Sequence, residues 1–318
     1  MSISRRKLIA TSAGGGMTMI LAGPVGYAQT GTPEATTRII DAANGQVEIP
    51  VHPERTVALD SYSAAAMADI GVVPVGVPEF DLDGYMFVYK EALADIPTTG
   101  PVNEPDLEAV LLLEPDLILC ITAPWGTDNL EALQAIAPTV LADYTVPNAW
   151  KALTDIFADA AGAQEGLDKI KEEYANRIEE LRTTYQETLA KTTWAVAIGW
   201  GVQDGMFSLY FPDSPPGAIL TDLGVTWVDA ARDGTGGNEQ ISLEEAQVLE
   251  TADVILTYGT RDGEAEESSQ TMLDTPGFQN LPAVKNDHVY IWRLVVPASY
   301  GEALVFLDQI EGVLQDLA

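Results

Sequence analysis

Residues 165–191 read EGLDKIKEEYANRIEELRTTYQETLAK, and the fold turns on how that stretch is read. Leu167, Ile170, Tyr174, Ile178, Leu181, Tyr185 and Leu189 recur at steps of three and four, a narrow apolar stripe on an otherwise charged surface. Glu173 precedes Arg177 by four residues and Glu187 precedes Lys191 by four, the order that supports a helix. No Gly or Pro follows Gly166, so the span is expected to run unbroken for roughly 40 Å at 1.5 Å per residue. A dimerising coiled coil would show a similar stripe, but this one lasts only about four heptads and its spacing lies nearer 3.6 than 3.5. The preferred reading is a rigid strut between two lobes.

Outward from the strut, strands and helices alternate on both sides. Before it, residues 38–50 read as a β-hairpin around Gly45, and 55–60 as a strand ending in Asp60-Ser61-Tyr62. A helix over 63–70 stops at Gly71, a strand covers 72–77, and a loop and helix over 80–96 carry Tyr85, Phe87 and Tyr89. A helix at 107–113 feeds the strand 116–121; a helix at 130–136 and an extended segment at 138–143 follow. Residues 150–161 form a helix with Asn148 as its cap and Gly162 past its end. After the strut come a strand at 193–200, a helix at 217–223, a helix at 243–249, strands at 253–258 and 289–293, and a closing helix at 299–317. Residues 234–238, Gly-Thr-Gly-Gly-Asn, read as a mobile loop without the Lys and Ser/Thr of a phosphate-binding loop. The expected fold is α/β, two Rossmann-like lobes with mainly parallel sheets joined by one long helix. The expected limits are 38–162 for the first lobe, 163–192 for the linking helix and 193–318 for the second lobe.

The chain has 318 residues and a net charge of −32. Residues 1–28 contain Arg5, Arg6 and Lys7 and no acid, so their removal takes −32 down by three, to −35. Such a surface repels nucleic acid and anionic membranes. Ser4-Arg5-Arg6-Lys7-Leu8-Ile9 is a twin-arginine pattern, followed by a mildly apolar run too short for a bilayer span. Gly26-Tyr27-Ala28 offers small residues where a signal peptidase reads, so cleavage is expected after Ala28, with a flexible leader over 29–37. No Cys lies near that position, which excludes a lipid anchor there; the mature protein is expected to be periplasmic and monomeric. The single Cys120 lies in an apolar run and reads as a core thiol.

No Gly-x-Ser-x-Gly elbow and no His-Glu-x-x-His helix occurs, so no catalytic residue is assigned. Two distant histidines, His52 and His288, are too few for a dedicated transition-metal site. What remains are aromatic and cationic residues at strand ends, where open α/β sheets gather their ligands. Tyr62, Trp125, Trp200, Tyr258 with Arg261, and Trp292 with Arg293 stand there; the loop after the second strand adds Phe80 and Tyr85. Aromatic platforms with one or two Arg suit a large, flat or greasy ligand bearing some negative charge.

The two halves echo each other. Leu107-Glu108-Ala109-Val110-Leu111-Leu112-Leu113-Glu114 aligns without gaps on Leu243-Glu244-Glu245-Ala246-Gln247-Val248-Leu249-Glu250, and each octet leads through an Asp into a strand. Together with Pro53-Glu54-Arg55-Thr56-Val57-Ala58-Leu59-Asp60, Ile70-Gly71-Val72, Glu114-Pro115-Asp116-Leu117-Ile118, Ile136-Ala137-Pro138-Thr139 and Ala252-Asp253-Val254-Ile255, these stretches carry a resemblance over the whole mature chain. It is similar to class III periplasmic substrate-binding proteins of iron-siderophore and cobalamin ABC importers. The resemblance implies ligand held between two lobes with small hinge closure, and no enzymatic activity. It also implies a Glu on each lobe that pairs with Arg on the inner-membrane permease, here Glu108 and either Glu244 or Glu245.

Between Thr56 and Trp150 the only basic residue is Lys90, whereas the second lobe offers Arg232, Arg261, Lys285 and Arg293. A tris-catecholate complex would want cations from both lobes. The expected ligand is therefore a neutral or weakly charged ferric siderophore, hydroxamate or mixed carboxylate, with iron present only inside the chelate. It would stack on Trp200, Trp292 and Tyr62, with Arg293 as the main polar clamp. Haem, with Tyr62 or Tyr85 on the iron, is the nearest rival and cobalamin the next. An exported enzyme or an adhesion module is the alternative from another class.

Overall fold

A computed structural model describes residues 36–146 and 148–318. The twin-arginine segment, the cleavage position and leader residues 29–35 lie outside them. Residues 36–318 form one compact unit, within which two separate sheets define two lobes.

The first lobe opens with the antiparallel hairpin β1 (Thr37–Ala42) and β2 (Gly45–Pro50). Then follow β3 (Thr56–Ala58), α1 (Ser61–Asp69), β4 (Val77–Glu79), a 3-10 turn at Phe87–Tyr89, α2 (Lys90–Leu93) and β5 (Thr98–Pro101). The lobe ends with α3 (Leu107–Leu112), β6 (Leu117–Ile121), α4 (Pro124–Thr127), α5 (Leu130–Ile136), β7 (Thr139–Ala142) and α6 (Ala149–Ala161). β3, β6 and β7 pair in parallel, and a bridge from Val57 to Gly76 brings the parallel pair β4–β5 alongside β3, giving the order β5-β4-β3-β6-β7. Every residue of β6 is buried, as helices on both faces require. The strand expected over 72–77 joins β3 only from Val75 onward, whose N–H donates to the Thr56 carbonyl at 2.8 Å; Pro74 has no N–H to give a ladder.

The expected strut is two helices, α7 (Gln164–Thr184) and α8 (Gln186–Lys191), interrupted at Tyr185 (φ −113°, ψ 26°). Its stripe is buried as the periodicity implies, but against both lobes rather than across open solvent. Leu167 packs with Ile70 and Ala158 of the first lobe, while Ile170, Tyr174, Ile178, Leu181 and Leu189 enter the core of the second. α7 lies so close to the end of α1 that a Cβ on Gly166 would overlap the Ile70 carbonyl oxygen.

The second lobe contains β8 (Thr193–Ile198), β9 (Met206–Tyr210), α9 (Pro215–Leu223), β10 (Thr226–Trp227), α10 (Asp229–Arg232), β11 (Asn238–Ser242) and a 3-10 helix at Leu243–Leu249. It continues with β12 (Val254–Tyr258), α11 (Glu267–Leu273), α12 (Pro276–Gln279), α13 (Pro282–Lys285), β13 (Val289–Trp292) and α14 (Tyr300–Asp316). Its sheet runs β11-β9-β8-β12-β13, with β10 beside β8. β10, β8, β12 and β13 are parallel, but β9 pairs antiparallel with β8 and β11 antiparallel with β9, two strands absent from the elements expected above. The octet expected as a helix over 243–249 is 3-10 with a kink at Glu245.

The echo between halves extends to individual hydrogen bonds. Asp116 donates its N–H to the Arg55 carbonyl and accepts the Arg55 N–H on its carboxylate (3.0 and 2.9 Å), tying the start of β6 to β3. Asp253 does the same to Thr193 (both 2.8 Å), tying β12 to β8. Ahead of each, Asp106 caps α3 through the Glu108 N–H and Ser242 caps the second octet through the Glu244 N–H.

Candidate functional site

The loops that follow the parallel strands meet between the lobes, where Tyr62 and Asn148 share a cavity with Asp213 and Ser214 and Arg261 lies against Phe87; this meeting line is the seam. Asp60 fixes the first-lobe side. It is buried, caps α1 through Ser63 N–H, and its second oxygen accepts Ile121 N–H, each at 2.8 Å, so the ends of β3 and β6 are pinned together. Tyr62 follows, half-buried; burial, then the charges of Glu302, Asp60 and Tyr144, push its hydroxyl up. Burial, then the charge of Tyr62 on the other lobe, push up the hydroxyl of Tyr210 of the second lobe.

The second-lobe side is an aromatic group. Trp200, 42% exposed, sits 5.5 Å from Tyr258 and 6.3 Å from Tyr210, centroid to centroid. Gly199 before it lets the chain pass beneath α11, since a Cβ there would overlap the Ser268 carbonyl. Because Tyr258 and Trp292 are register partners in β12 and β13, Arg293 arrives beside Tyr258. Its guanidinium donates to the Tyr258 hydroxyl, lies 5.1 Å from that ring and pairs with Glu266 at 2.7 Å. The residue expected as the main polar clamp therefore comes already partnered.

Not every expected residue joins this group. Trp292 packs edge-on to Phe306 of α14 at 5.7 Å, which makes it a link to the closing helix. Trp125 wedges between the two apolar clusters of the first lobe, its indole N–H buried without a partner. Phe80 and Tyr85 form a T-shaped pair at 6.2 Å on the loop after β4. Arg261 reaches back to the first lobe: its guanidinium carbon lies 4.5 Å from the centre of the Phe87 ring, and Nη1 lies 3.5 Å from the Asp83 carbonyl oxygen.

The lobes also touch through residues that pattern reading missed. Tyr89 hydroxyl donates to Asp69 and meets Ser299, while Asp69 accepts the Gly301 N–H at 3.0 Å, so a first-lobe carboxylate caps α14. Burial pushes Asp69 up to about 6, against the pull of the Gly301 N–H and Tyr89 hydroxyl. Burial likewise pushes Glu302 up to about 7, against the Ala298 N–H it accepts and with the help of the Asp69 charge. Trp150 of α6, Tyr174 of α7 and Tyr300 of α14 pack edge to face at 4.8–6.0 Å and join three helices.

At the β7 edge, Asn148 was expected to cap α6 with its side chain but has a left-handed backbone (φ 55°) and no capping bond. With its amide nitrogen turned toward the second lobe it donates to the carbonyls of Asp213 and Ser214 at 3.0 Å each. Asp213 carboxylate accepts from Gly236 and Gly237 N–H (2.7 and 2.9 Å), so the loop expected to be mobile is tethered. Tyr62, Tyr144, Asn148 and Asp213 line a small cavity there of about 170 Å³.

The acids expected at a partner surface, Glu108, Glu244 and Glu245, are all exposed. Glu108 stands two residues after its cap Asp106 and Glu244 two after its cap Ser242, so Glu244, not Glu245, occupies the matching position. Among the described residues no helix is long and apolar enough to cross a membrane, and no cluster of His, Cys, Asp and Glu is arranged to hold a metal ion.

The model of the periplasmic binding protein family matches residues 57–294. The achromobactin-binding periplasmic protein of Dickeya dadantii is 25% identical over 268 residues, 82% of this chain and 86% of that protein. The iron(3+)-hydroxamate-binding protein FhuD of Bacillus subtilis is 30% identical over 268 residues, covering 80% and 79%. Among solved structures, the siderophore periplasmic binding protein from the fuscachelin gene cluster of Thermobifida fusca superposes with a TM-score of 0.65 at 30% identity, over 84% of this chain and 98% of that one.

Proposed function

Because the chain belongs to the periplasmic binding protein family, in the class that serves iron-siderophore and cobalamin importers, we propose that it carries a ferric siderophore of low charge to an ABC importer. The siderophore is of hydroxamate or mixed-carboxylate type and lies between Tyr62 on one lobe and Trp200, Tyr210 and Tyr258 on the other. The observation that carries this reading is the charge of the seam. Its aromatic group is large, yet Arg293 is held by Glu266 and Lys90 by Asp83, leaving little uncompensated positive charge for a trianion. Relatives of comparable identity carry the names of different siderophores, which agrees with a shared frame and a variable ligand.

Tryptophan fluorescence of the mature chain, titrated with ferric hydroxamates, ferric citrate-type chelates and a ferric tris-catecholate, tests the reading. Quenching by the first two at submicromolar concentrations is expected. Tight binding of the tris-catecholate with none of the hydroxamates overturns it, and a Soret band on hemin addition assigns the site to haem instead. Export follows the twin-arginine leader, and the mature N-terminus is Gln29, which mass spectrometry of the secreted chain reads directly. Delivery runs through Glu108 and Glu244, whose equal cap positions supply one acid per lobe for permease arginines. Reversing both to Arg should cut uptake by about tenfold or more while chelate binding stays within about twofold; unchanged uptake removes them from the interface.

A further inference from the structure

The seam holds two arginines in different states. Arg293 is 22% exposed, ion-paired to Glu266 at 2.7 Å and bonded to the Tyr258 hydroxyl. A ligand carboxylate arriving there exchanges with a carboxylate already bound, so the net gain is small. Arg261 is exposed and, among the described residues, has no carboxylate within ion-pair distance. The other second-lobe cations are occupied elsewhere: Arg232 pairs with Asp229, and Lys285, just before β13 and so at the far end of the sheet from the seam, donates to the Asn280 carbonyl.

Arg261 is also held in place from both sides. Its turn is closed by Thr260 N–H to the Glu264 carbonyl (2.8 Å), by Glu264 N–H to the Thr260 hydroxyl (3.1 Å) and by the bridge between Gly259 and Ala265. Opposite it, Phe87 stands on the 3-10 turn whose last residue, Tyr89, is bonded to Asp69 and to Ser299 at the start of α14. The ring is therefore fixed relative to the second lobe, and the guanidinium lies 4.5 Å from its centre. Packing on an aromatic ring occupies the face of a guanidinium and leaves edge N–H groups to accept a planar carboxylate in two-point fashion. The Asp83 carboxylate feels the Arg261 charge but makes its close ion pair with Lys90, at 2.6 Å, and none with Arg261.

We infer that Arg261, positioned by Phe87 across the seam, reads a single free carboxylate on the ferric chelate, while Glu266 withholds Arg293 from that task. This rests on the ferric-siderophore reading and narrows it to a monoanionic ligand. Phe87 is then a positioning residue of the first lobe, and specificity is shared between lobes although the charge comes from one.

The test uses two probes: a ferric trihydroxamate with one pendant carboxylate and the methyl amide of the same chelate. Each is titrated calorimetrically into the mature full chain at low and at 0.5 M salt. The wild type should prefer the carboxylate probe about fivefold at low salt, and less at high salt. R261Q should bring the ratio close to one, and F87L should lower it without abolishing it, whereas R293Q should keep it. E266Q should raise affinity for a dianionic chelate by freeing Arg293. A ratio unchanged in R261Q, or erased only in R293Q, overturns the assignment to Arg261. If the wild type binds both probes equally, the carboxylate reading falls while the ferric-chelate reading stands; if it binds neither, both fall.

Discussion

The two lobes share a frame and differ in what its ends carry. Asp116 and Asp253 make the same backbone staple, Asp106 and Ser242 the same cap, and β3, β6 and β7 find their counterparts in β8, β12 and β13. Past those matched elements the lobes diverge. The first keeps an all-parallel sheet, brings Tyr62 and Phe87 to the seam, carries Phe80 and Tyr85 on the loop after β4, and between Thr56 and Trp150 has Lys90 as its one cation. The second adds the antiparallel strands β9 and β11 and gathers Trp200, Tyr210, Tyr258 and both seam arginines. The outer corners differ as well. One turn after Glu108 stand Leu111 and Leu112, 58% and 82% exposed, and in the same places after Glu244 stand Gln247 and Val248. Shared hydrogen bonds thus belong to the scaffold, and the differences gather at the seam and at the outer corners.

The sharpest contrast is in buried acids, and it yields the largest expected effect. Asp60, inside the first lobe, is also pushed up by burial, but the two backbone N–H groups it accepts, from Ser63 and Ile121, oppose that rise. Glu302, where α14 meets the first lobe, accepts only Ala298 N–H and faces Asp69. Its carboxyl is raised from 4.5 to about 7, so the folded chain holds that proton more tightly than the unfolded one. Stability from this group is full below the unfolded value and is lost as pH rises through about 7, by roughly 3 kcal/mol at 1.36 kcal/mol per unit. Asp69, raised to about 6, acts in the same direction. Glu302→Gln keeps an acceptor for Ala298 and loses the charge, so its stability relative to wild type should climb between pH 5 and 8. Urea unfolding at both pH values measures the difference directly, and overall acidity cancels in the comparison. A constant difference would mean that the interlobe contact does not respond to the charge of Glu302.

Next in size is the aromatic asymmetry. Trp200→Ala removes the exposed platform of the second lobe and should weaken chelate binding by about thirtyfold, roughly 2 kcal/mol. Phe80→Ala, in the first-lobe loop, should cost about threefold, because its ring packs on Tyr85 at the margin. Calorimetry is the suitable measurement, since the first change removes a reporter fluorophore. Equal losses would make the two lobes equivalent walls.

Much of this was legible in the chain. The stripe of α7 and the duplicated octets follow from period and spacing, because local patterns determine them, whereas the one cap read from the letters, Asn148, makes no capping bond. What escaped depends on partners distant in sequence. The break at Tyr185 accompanies a bond from its hydroxyl to Glu311 of α14. The second octet is 3-10 rather than α where it packs on Gly277 of α12, although its letters match those of α3. β11 is polar and mostly exposed, so it has no alternation to read, whereas β9, an apolar run between Gly205 and Pro212, carried a signal. At the site, strand ends pointed to Trp200, Tyr258 and Arg293. Glu266 was invisible because one carboxylate among 48 acids carries no mark, and Phe87 because only the contact with Arg261 gives it a role.

The smallest effect probes the shared frame itself. The Asp116 carboxylate accepts two N–H groups, from Glu54 and Arg55, at 2.8 and 2.9 Å; the Asp253 carboxylate accepts one, from Thr193, at 2.8 Å. Alanine leaves each backbone bond in place and strips only the carboxylate. Asp116→Ala should therefore cost about 2 kcal/mol and Asp253→Ala about 1, the worth of two and of one charge-assisted bond at partly exposed positions. Asparagine separates bond count from charge, since its single carbonyl oxygen can replace the one acceptor at Asp253 but only one of the two at Asp116. Chemical denaturation of the four variants should show near-complete rescue at 253 and about half at 116. Equal rescue at both would mean that the staples act through charge at the strand start, and the likeness of the lobes would then be electrostatic rather than a matter of matched hydrogen bonds.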